Sequence, residues 1–412
     1  MVRSDESNNI CTKRELKSCF VHIKLIYMIP RILTDELLAQ LAEYPVVTVI
    51  GPRQAGKTTL AKAALPGYDY VSLESPETRQ LALEDPKAFL RQHPGRVILD
   101  EIQRAPELLS YLQERVDQGG GNGQFVLTGS HQLELRAAIT QSLAGRTGIL
   151  HLLPLSIAEL DAAGIRFERF EDYIQHGFLP RVHDQQQRPH TAYANYYQTY
   201  VERDVRQLIQ LKDALVFEKF IKLMAGRTGQ IINYQSLASD VGVDAKTIKH
   251  WLSILEASFV VFRLPPYFEN FGKRVIKSPK YYFTDTGLLA WLLDIEKSDQ
   301  VTRDPLVGNL FENLVVLEAL KCRYNRGATA GLYFFRDNHG NEIDLLHKSG
   351  SQLTGVEIKA AATWNSSFKK SLLRFSQALT PLAQRYVIYN GDAIEFSDGV
   401  RALPYTRVAD VF

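Results

Sequence analysis

At 412 residues, 45% hydrophobic and 23% charged, the chain has the composition of a folded globular protein and too much length for a single hydrophobic core. A net charge of +2 excludes a chain that coats nucleic acid by bulk basicity, so any such contact must come from a local patch. Three cysteines (Cys11, Cys19 and Cys322) without metal-ligand spacing exclude a disulfide framework and fit a reducing, cytoplasmic setting, and no apolar run reaches the roughly 18 residues of a membrane span.

Residues 1–27 are polar and then irregularly apolar. The stretch "CFVHIKLIYMIP" is broken by His22 and Lys24 and makes a poor signal peptide, so this segment is expected to be a disordered extension, with the patterned chain opening near Met28. From residue 46, short apolar runs alternate with helical patterns. "VVTVI" (46–50), "YVSL" (70–73), "RVILD" (96–100) and "QFVLTGS" (124–130) predict buried strands, and "KTTLAKAAL", "DPKAFLRQH" and "APELLSYLQERVDQ" predict the helices between them. This alternation is the signature of a parallel sheet covered by helices.

Residues 170–230 turn helical and tyrosine-rich, with "TAYANYYQTYVERDVRQLIQ" followed by "LVFEKFIKLMAG". The run "NYQSLASDVGVDAKTIKHWLSILEASFVVFRLPPY" predicts two short helices joined at "VGVD" and then a β-branched and aromatic strand, the layout of a winged helix. Beyond about 302 the pattern predicts a helix ("LVGNLFENLVVLEAL"), strands "LYFFRD", "NEIDLLH" and "LTGVEIKAA", a helix over 365–379 and a strand "RYVIYNG". The expected fold class is α/β: a P-loop NTPase core over 28–165, a helical and winged-helix region over 166–300, and a small α/β domain over 301–412.

Gly51-Pro52-Arg53-Gln54-Ala55-Gly56-Lys57-Thr58 fits G-x-x-x-x-G-K-[ST] in full, after a predicted strand and before a predicted helix. Backbone N–H groups of the loop, continued by Thr59 in the first helical turn, would cradle the phosphates of ATP. Lys57 would reach the β- and γ-phosphates and Thr58 would ligate Mg²⁺. Asp100 ends the strand "RVILD" and is the expected second support of the metal, with Glu101 the general base for the attacking water. Thr128 and Ser130 end the next apolar run, where a hydroxyl would orient that water or sense the γ-phosphate; Thr128 is counted with the catalytic residues. Arg146 in "SLAGRTG" and Arg203 in "YVERDVR" are the candidate arginine fingers, in cis or from a neighbouring subunit, and spacing does not choose between them.

On these residues, and on "VILDEIQ", "LPPY", "KRVIKSPKYYFTDTGLL" and "VEIKAA", the chain from about 28 to 412 resembles the AAA-type ATP-binding proteins of bacteria and archaea whose P-loop domain precedes a C-terminal domain of unknown function. The resemblance implies an ATPase core with a glutamate after the magnesium aspartate.

On the second helix of the predicted winged helix, Lys246, Lys249 and His250 face outward, opposite Leu237, Val241, Ile248, Leu252 and Leu255. With Lys273, Arg274, Lys277 and Lys280 they form the expected DNA-contacting surface. Protein partners and oligomerisation stay open beside it. In the C-terminal part, Glu342 and Asp344 share one strand face, Glu357 and Lys359 share another, and Glu312 on the preceding helix can reach the same place. The pattern D-x₁₂-E-x-K is similar to the PD-(D/E)-x-K nuclease superfamily, with Ile343 where that pattern has proline. Glu312, Asp344, Glu357 and Lys359 are the candidate nuclease-like site, in which carboxylates hold Mg²⁺ and the lysine offsets charge. The expected function is ATP hydrolysis used as a switch or motor on DNA. The other reading is a nucleotide-sensing interaction module with an inactive nuclease-like domain.

Overall fold

The apolar run Val46–Ile50 (β1) is buried along its whole length, as a strand covered on both faces must be. In the computed structural model, which describes residues 28–130, 139, 141–209, 213–267 and 277–412, it lies in a five-stranded sheet. The sheet's other strands are Asp69–Ser72 (β2), Val97–Asp100 (β3), Phe125–Gly129 (β4) and Thr147–His151 (β5), in the order β2-β3-β4-β1-β5 and parallel throughout. The expected extension over 1–27 lies outside the described residues.

β5 was not legible in the sequence. It is an edge strand with alternating half-buried positions, and its "TGILH" carries too few apolar residues to stand out beside the four buried runs. The helices Leu33–Glu43 and Lys57–Ala64 cover one face of the sheet through Leu33, Leu37 and Leu60, which pack on Val47, Val49, Val126 and Leu150. The other face merges into a core that continues without interruption to Leu310, Leu314 and Leu317 of the long helix Val307–Asn325.

Helices Tyr234–Val241 and Ala245–Ala257 are joined by a turn with Gly242 in the left-handed region, and Asp244 caps the second helix through the Thr247 N–H at 2.8 Å. Leu237, Val241, Ile248, Leu252 and Leu255 are buried, and Lys246, Lys249 and His250 are exposed. The antiparallel pair Val261–Leu264 (β6) and Lys280–Phe283 (β7) follows. The long helix reaches the outer edge of β7 with a side chain: Asn313, fully buried, accepts from Phe283 N–H at 2.9 Å, donates to Phe283 C=O at 2.9 Å and accepts from the Thr228 hydroxyl at 2.8 Å.

A six-stranded mixed sheet completes the chain. Its strands are Leu332–Arg336 (β8), Glu342–Ser349 (β9), Gln352–Lys359 (β10), Gln384–Tyr389 (β11), Ile394–Glu395 (β12) and Val400–Pro404 (β13), in the order β12-β13-β11-β10-β9-β8. β12 and β13 were missed in the sequence because both are short and lie beyond the last clear apolar run. Among the described residues no helix is long and apolar enough to cross a membrane.

Asn313→Leu would strand the edge amide and carbonyl of Phe283. An unmade buried hydrogen bond costs on the order of 1–3 kcal/mol, so urea unfolding is expected to show a loss of that size, and Asn313→Asp should retain part of the stability.

Candidate functional site

Because β4 lies between β3 and β1, the carboxyl ends of these three strands bring the glycine-rich turn, Asp100-Glu101 and Thr128 to one edge of the sheet. A side chain at Gly51 would collide with the backbone carbonyl of Leu152, and Gly56 sits at φ 90° as the cap of the helix Lys57–Ala64. Those two positions let the loop fold back over the helix N-terminus.

Lys57 is buried, and its ammonium donates to Gly51 C=O at 2.9 Å, Pro52 C=O at 2.8 Å and the Ser130 hydroxyl at 3.2 Å. Burial pulls its pKa down to about 8, against the opposing pull of Glu101 and Asp100. Thr58 donates to Asp100 Oδ1 at 2.8 Å, Thr128 donates to the same oxygen, and Tyr70 donates to Oδ2 at 2.9 Å. A hydroxyl and a carboxylate meeting at the phosphate loop form a hard oxygen donor set, which suits Mg²⁺.

Glu101 adopts φ 59°, ψ 47°, a left-handed conformation unusual for this residue. Its N–H donates to Thr128 Oγ1 at 3.1 Å, and its carboxylate accepts from Ser130 at 2.9 Å and from the Gln103 side-chain amide. This corrects the reading of Thr128: its hydroxyl is fully buried and joins Asp100 to the Glu101 backbone. Ser130 is the hydroxyl that stands between Glu101 and Lys57.

The finger candidates separate as well. Arg146 immediately precedes β5, and its carbonyl accepts from Val46 N–H at the start of β1. It lies at the opposite edge of the sheet from the phosphate loop, roughly 15 Å along a five-residue strand. Its guanidinium pairs with Asp117 at 2.6 Å, so a role in cis is overturned. The missed strand β5 is the reason the sequence did not show this.

Arg203 lies on a π-helical stretch, Tyr197–Val205, and lines a cavity of about 850 Å³ with Lys57, Thr58, Glu101, Arg31 and Arg181. Asp204 holds Arg203 at 2.8 Å and Arg53 of the loop at 3.2 Å.

Arg31 was not singled out in the sequence; its only signal was the "PRIL" stretch before the first helix. It donates to Ala55 C=O in the phosphate loop at 2.6 Å, to Leu153 C=O at 2.7 Å and to Glu159 at 3.0 Å. Glu159 closes a capping box with Ser156. The next amide, Ile157 N–H, donates to Glu318 of the long helix at 2.9 Å, and Lys321 bridges Glu318 at 2.8 Å to Leu155 C=O at 2.7 Å.

The C-terminal candidates also meet. Asp344 accepts from Ile358 N–H at 2.8 Å, and Lys359 lies 3.3 Å from Asp344 and 2.7 Å from Glu357. Burial first, then the neighbouring Asp344, pushes Glu357 up to about 8 against the pull of Lys359. Glu312 joins this group through Lys280, which pairs with it at 2.9 Å and with Glu342 at 2.7 Å. Lys280 was expected among the exposed phosphate contacts. It is instead 3% exposed and ion-paired, because it opens β7 against the long helix and β9. Lys277 is exposed, and Lys273 and Arg274 lie outside the described residues. Among the described residues no three acidic, histidine or cysteine side chains converge to hold a metal ion, so the carboxylates here form an ion-pair network with two lysines.

An AAA domain model matches residues 43–161, a domain of unknown function (DUF8612) matches 167–299, and a second (DUF4143) matches 307–408. Uncharacterized protein Rv2008c of Mycobacterium tuberculosis and uncharacterized protein Mb2031c of Mycobacterium bovis are each 31% identical over 369 residues, 88% of this chain and 81% of theirs. Among solved structures, the Walker-type ATPase PABY2304 of Pyrococcus abyssi matches with a TM-score of 0.44 at 14% identity, covering 65% of this chain and 100% of its own. A point variant of RuvB from Thermotoga maritima matches with a TM-score of 0.30 at 19% identity, covering 57% of this chain and 90% of its own. The chain thus belongs to the AAA-type P-loop ATPase family in which the AAA domain is followed by a C-terminal domain of unknown function.

Proposed function

We propose that this protein hydrolyses ATP with Mg²⁺ and uses the change of nucleotide state as a switch on DNA, in a three-part chain divided near residues 165 and 300. The observation that carries the reading is the meeting of Lys57, the Thr58–Asp100 pair and Glu101 at one sheet edge, with Ser130 touching both Lys57 and Glu101. Lys57 binds the phosphate chain by exchanging the loop carbonyls it now holds for phosphate oxygens. Thr58 and Asp100 would hold Mg²⁺, which supplies charge neutralisation on the phosphates. Glu101 accepts the proton of the attacking water, and its left-handed backbone, fixed by Thr128, aims the carboxylate toward the loop. Ser130 lets the state of Lys57 be felt at Glu101. Arg203, at the wall of the same cavity, is the residue we assign to offset charge on the transferred phosphate once Asp204 releases it.

Support for a switch comes from the buried polar chain that leads from Ala55 through Arg31, Glu159 and the Ser156–Ile157 backbone to Glu318. A shift of the loop on binding phosphate pulls on Arg31, and the same chain ends on the helix that carries Glu312. DNA is the partner we assign to the exposed Lys246, Lys249 and His250. With a single basic helix face the affinity should be modest and steeply salt-dependent.

Lys57→Ala is expected to abolish ATP binding, and Glu101→Gln to bind ATP while slowing turnover at least a hundredfold, read by nucleotide binding and phosphate release; normal turnover in Glu101→Gln would remove it from the base role. Since the free Lys57 is easily deprotonated and bound phosphate favours its charged form, ATP affinity should fall as pH rises through about 8, by up to about tenfold per pH unit. Binding to duplex DNA should differ between ATP and ADP and weaken in a Lys246→Ala, Lys249→Ala double variant. No DNA binding in any nucleotide state would leave a nucleotide-sensing module for protein partners.

A further inference from the structure

One carboxylate serves two of the arginines that line the nucleotide cavity. Asp204 Oδ1 accepts from Arg203 Nε at 2.8 Å, and its Oδ2 lies 3.2 Å from Nε of Arg53, the third residue of the phosphate loop. The two halves of this bridge differ in kind. Arg203 is held by a hydrogen bond. Arg53 Nε and Asp204 Oδ2 are both buried without a hydrogen-bond partner among the described residues, so charge alone joins them. A buried donor left unpaired costs free energy that a well-aligned acceptor would recover. Arg53 shares the cavity wall with Lys57 and Thr58, where a phosphate oxygen is such an acceptor.

The carboxylate is anchored and Arg203 is not. Asp204 belongs to the π-helical stretch Tyr197–Val205, a rare backbone form that recurs at functional sites. Buried Tyr197, Tyr200, Val201 and Val205 hold that stretch, and the Tyr200 hydroxyl donates to Ser258 C=O at 2.7 Å. The Asp204 side chain is 15% exposed, against 62% for Arg203. When a stronger anion arrives, the arginine is therefore the partner that leaves. A triphosphate is that anion, because it carries more charge than one carboxylate and offers several oxygens to a guanidinium fork.

We propose that Asp204 is an internal substitute for phosphate, which holds Arg203 and Arg53 in the empty site and must give up Arg203 to a γ-phosphate. This rests on the reading that the cavity takes ATP. Arg53 belongs to the loop and meets any phosphate chain, whereas Arg203 is assigned to the transferred phosphate. Only a triphosphate has to draw Arg203 from Asp204, so ATP loses binding free energy in that exchange and ADP does not. Asp204 thus sets how far the protein prefers triphosphate to diphosphate. It also withholds the charge-offsetting arginine until a γ-phosphate is present.

The test is calorimetric titration of the full chain with a non-hydrolysable ATP analogue and with ADP, each with Mg²⁺. Asp204→Asn keeps the side-chain shape and removes the charge. It is expected to bind the analogue about tenfold more tightly than the unaltered protein, the size of one released charged hydrogen bond, while ADP affinity changes about twofold or less. Asp204→Glu should return the analogue affinity toward that of the unaltered protein. An unchanged or weaker analogue affinity in Asp204→Asn would overturn the proposal, and so would an equal gain for ADP, which marks a general charge effect. If neither nucleotide binds the unaltered protein or the variant, the ATP reading fails and this proposal with it. Where Asp204→Asn does not fold, the unaltered protein decides. With the arginine side-chain nitrogens labelled for magnetic resonance, the Arg203 Nε signal is identified by its loss in Arg203→Lys. That signal should move on adding the ATP analogue and stay in place with ADP; no movement with either, or equal movement with both, overturns the proposal.

Discussion

The structure depends on how two buried carboxylates, Glu159 and Glu318, are paired. Glu159 is 1% exposed and takes Arg31, the Ile32 N–H and the Ser156 N–H; Glu318 takes Ile157 N–H and Lys321. Buried ion pairs are weak sources of net stability, but breaking one by removing a partner costs about 3–5 kcal/mol. Their value here is positional. They tie the phosphate loop, the segment after β5 and the long helix to one another.

Around that arrangement the sheet edge does the rest. Parallel strands present their carboxyl ends together, so residues far apart in sequence meet without any local signal. Lys57, Asp100, Glu101 and Ser130 are brought together because β1, β3 and β4 are neighbours, and the hydroxyls of Thr58, Thr128 and Tyr70 then saturate Asp100. The same logic operates in the C-terminal sheet. The hairpin register that pairs Val356 with Leu345 sets Asp344 next to Glu357, and the long helix closes the cluster from behind with Glu312.

The long helix is thus the shared element. It carries Asn313 to the edge of β7, Glu312 to Lys280 and Glu318 to the nucleotide half, all within its nineteen residues. A small rotation about its axis would be felt at all three places. The helix thus touches both the nucleotide half and the C-terminal cluster.

By itself the sequence determined what depends on short range: the strand-loop-helix of residues 46–64, the Asp100-Glu101 pair at a strand end, the two helices around Gly242, and the alternation that puts Glu342 with Asp344 and Glu357 with Lys359. Each rests on periodicity or on backbone demands that neighbouring residues meet alone. Tertiary structure decided what depends on which surfaces face each other. Arg146 lay at the wrong edge because an inconspicuous strand follows it, and Thr128 turned to Asp100 while Ser130 faced Glu101. Arg31 reached across to the loop from before the first helix. Lys280 shows the difference most plainly: in the sequence it is one basic residue in a basic run, and only the packing of β7 beside Glu312 and Glu342 makes it a buried counterion, because a charge's role is set by the groups that surround it in space.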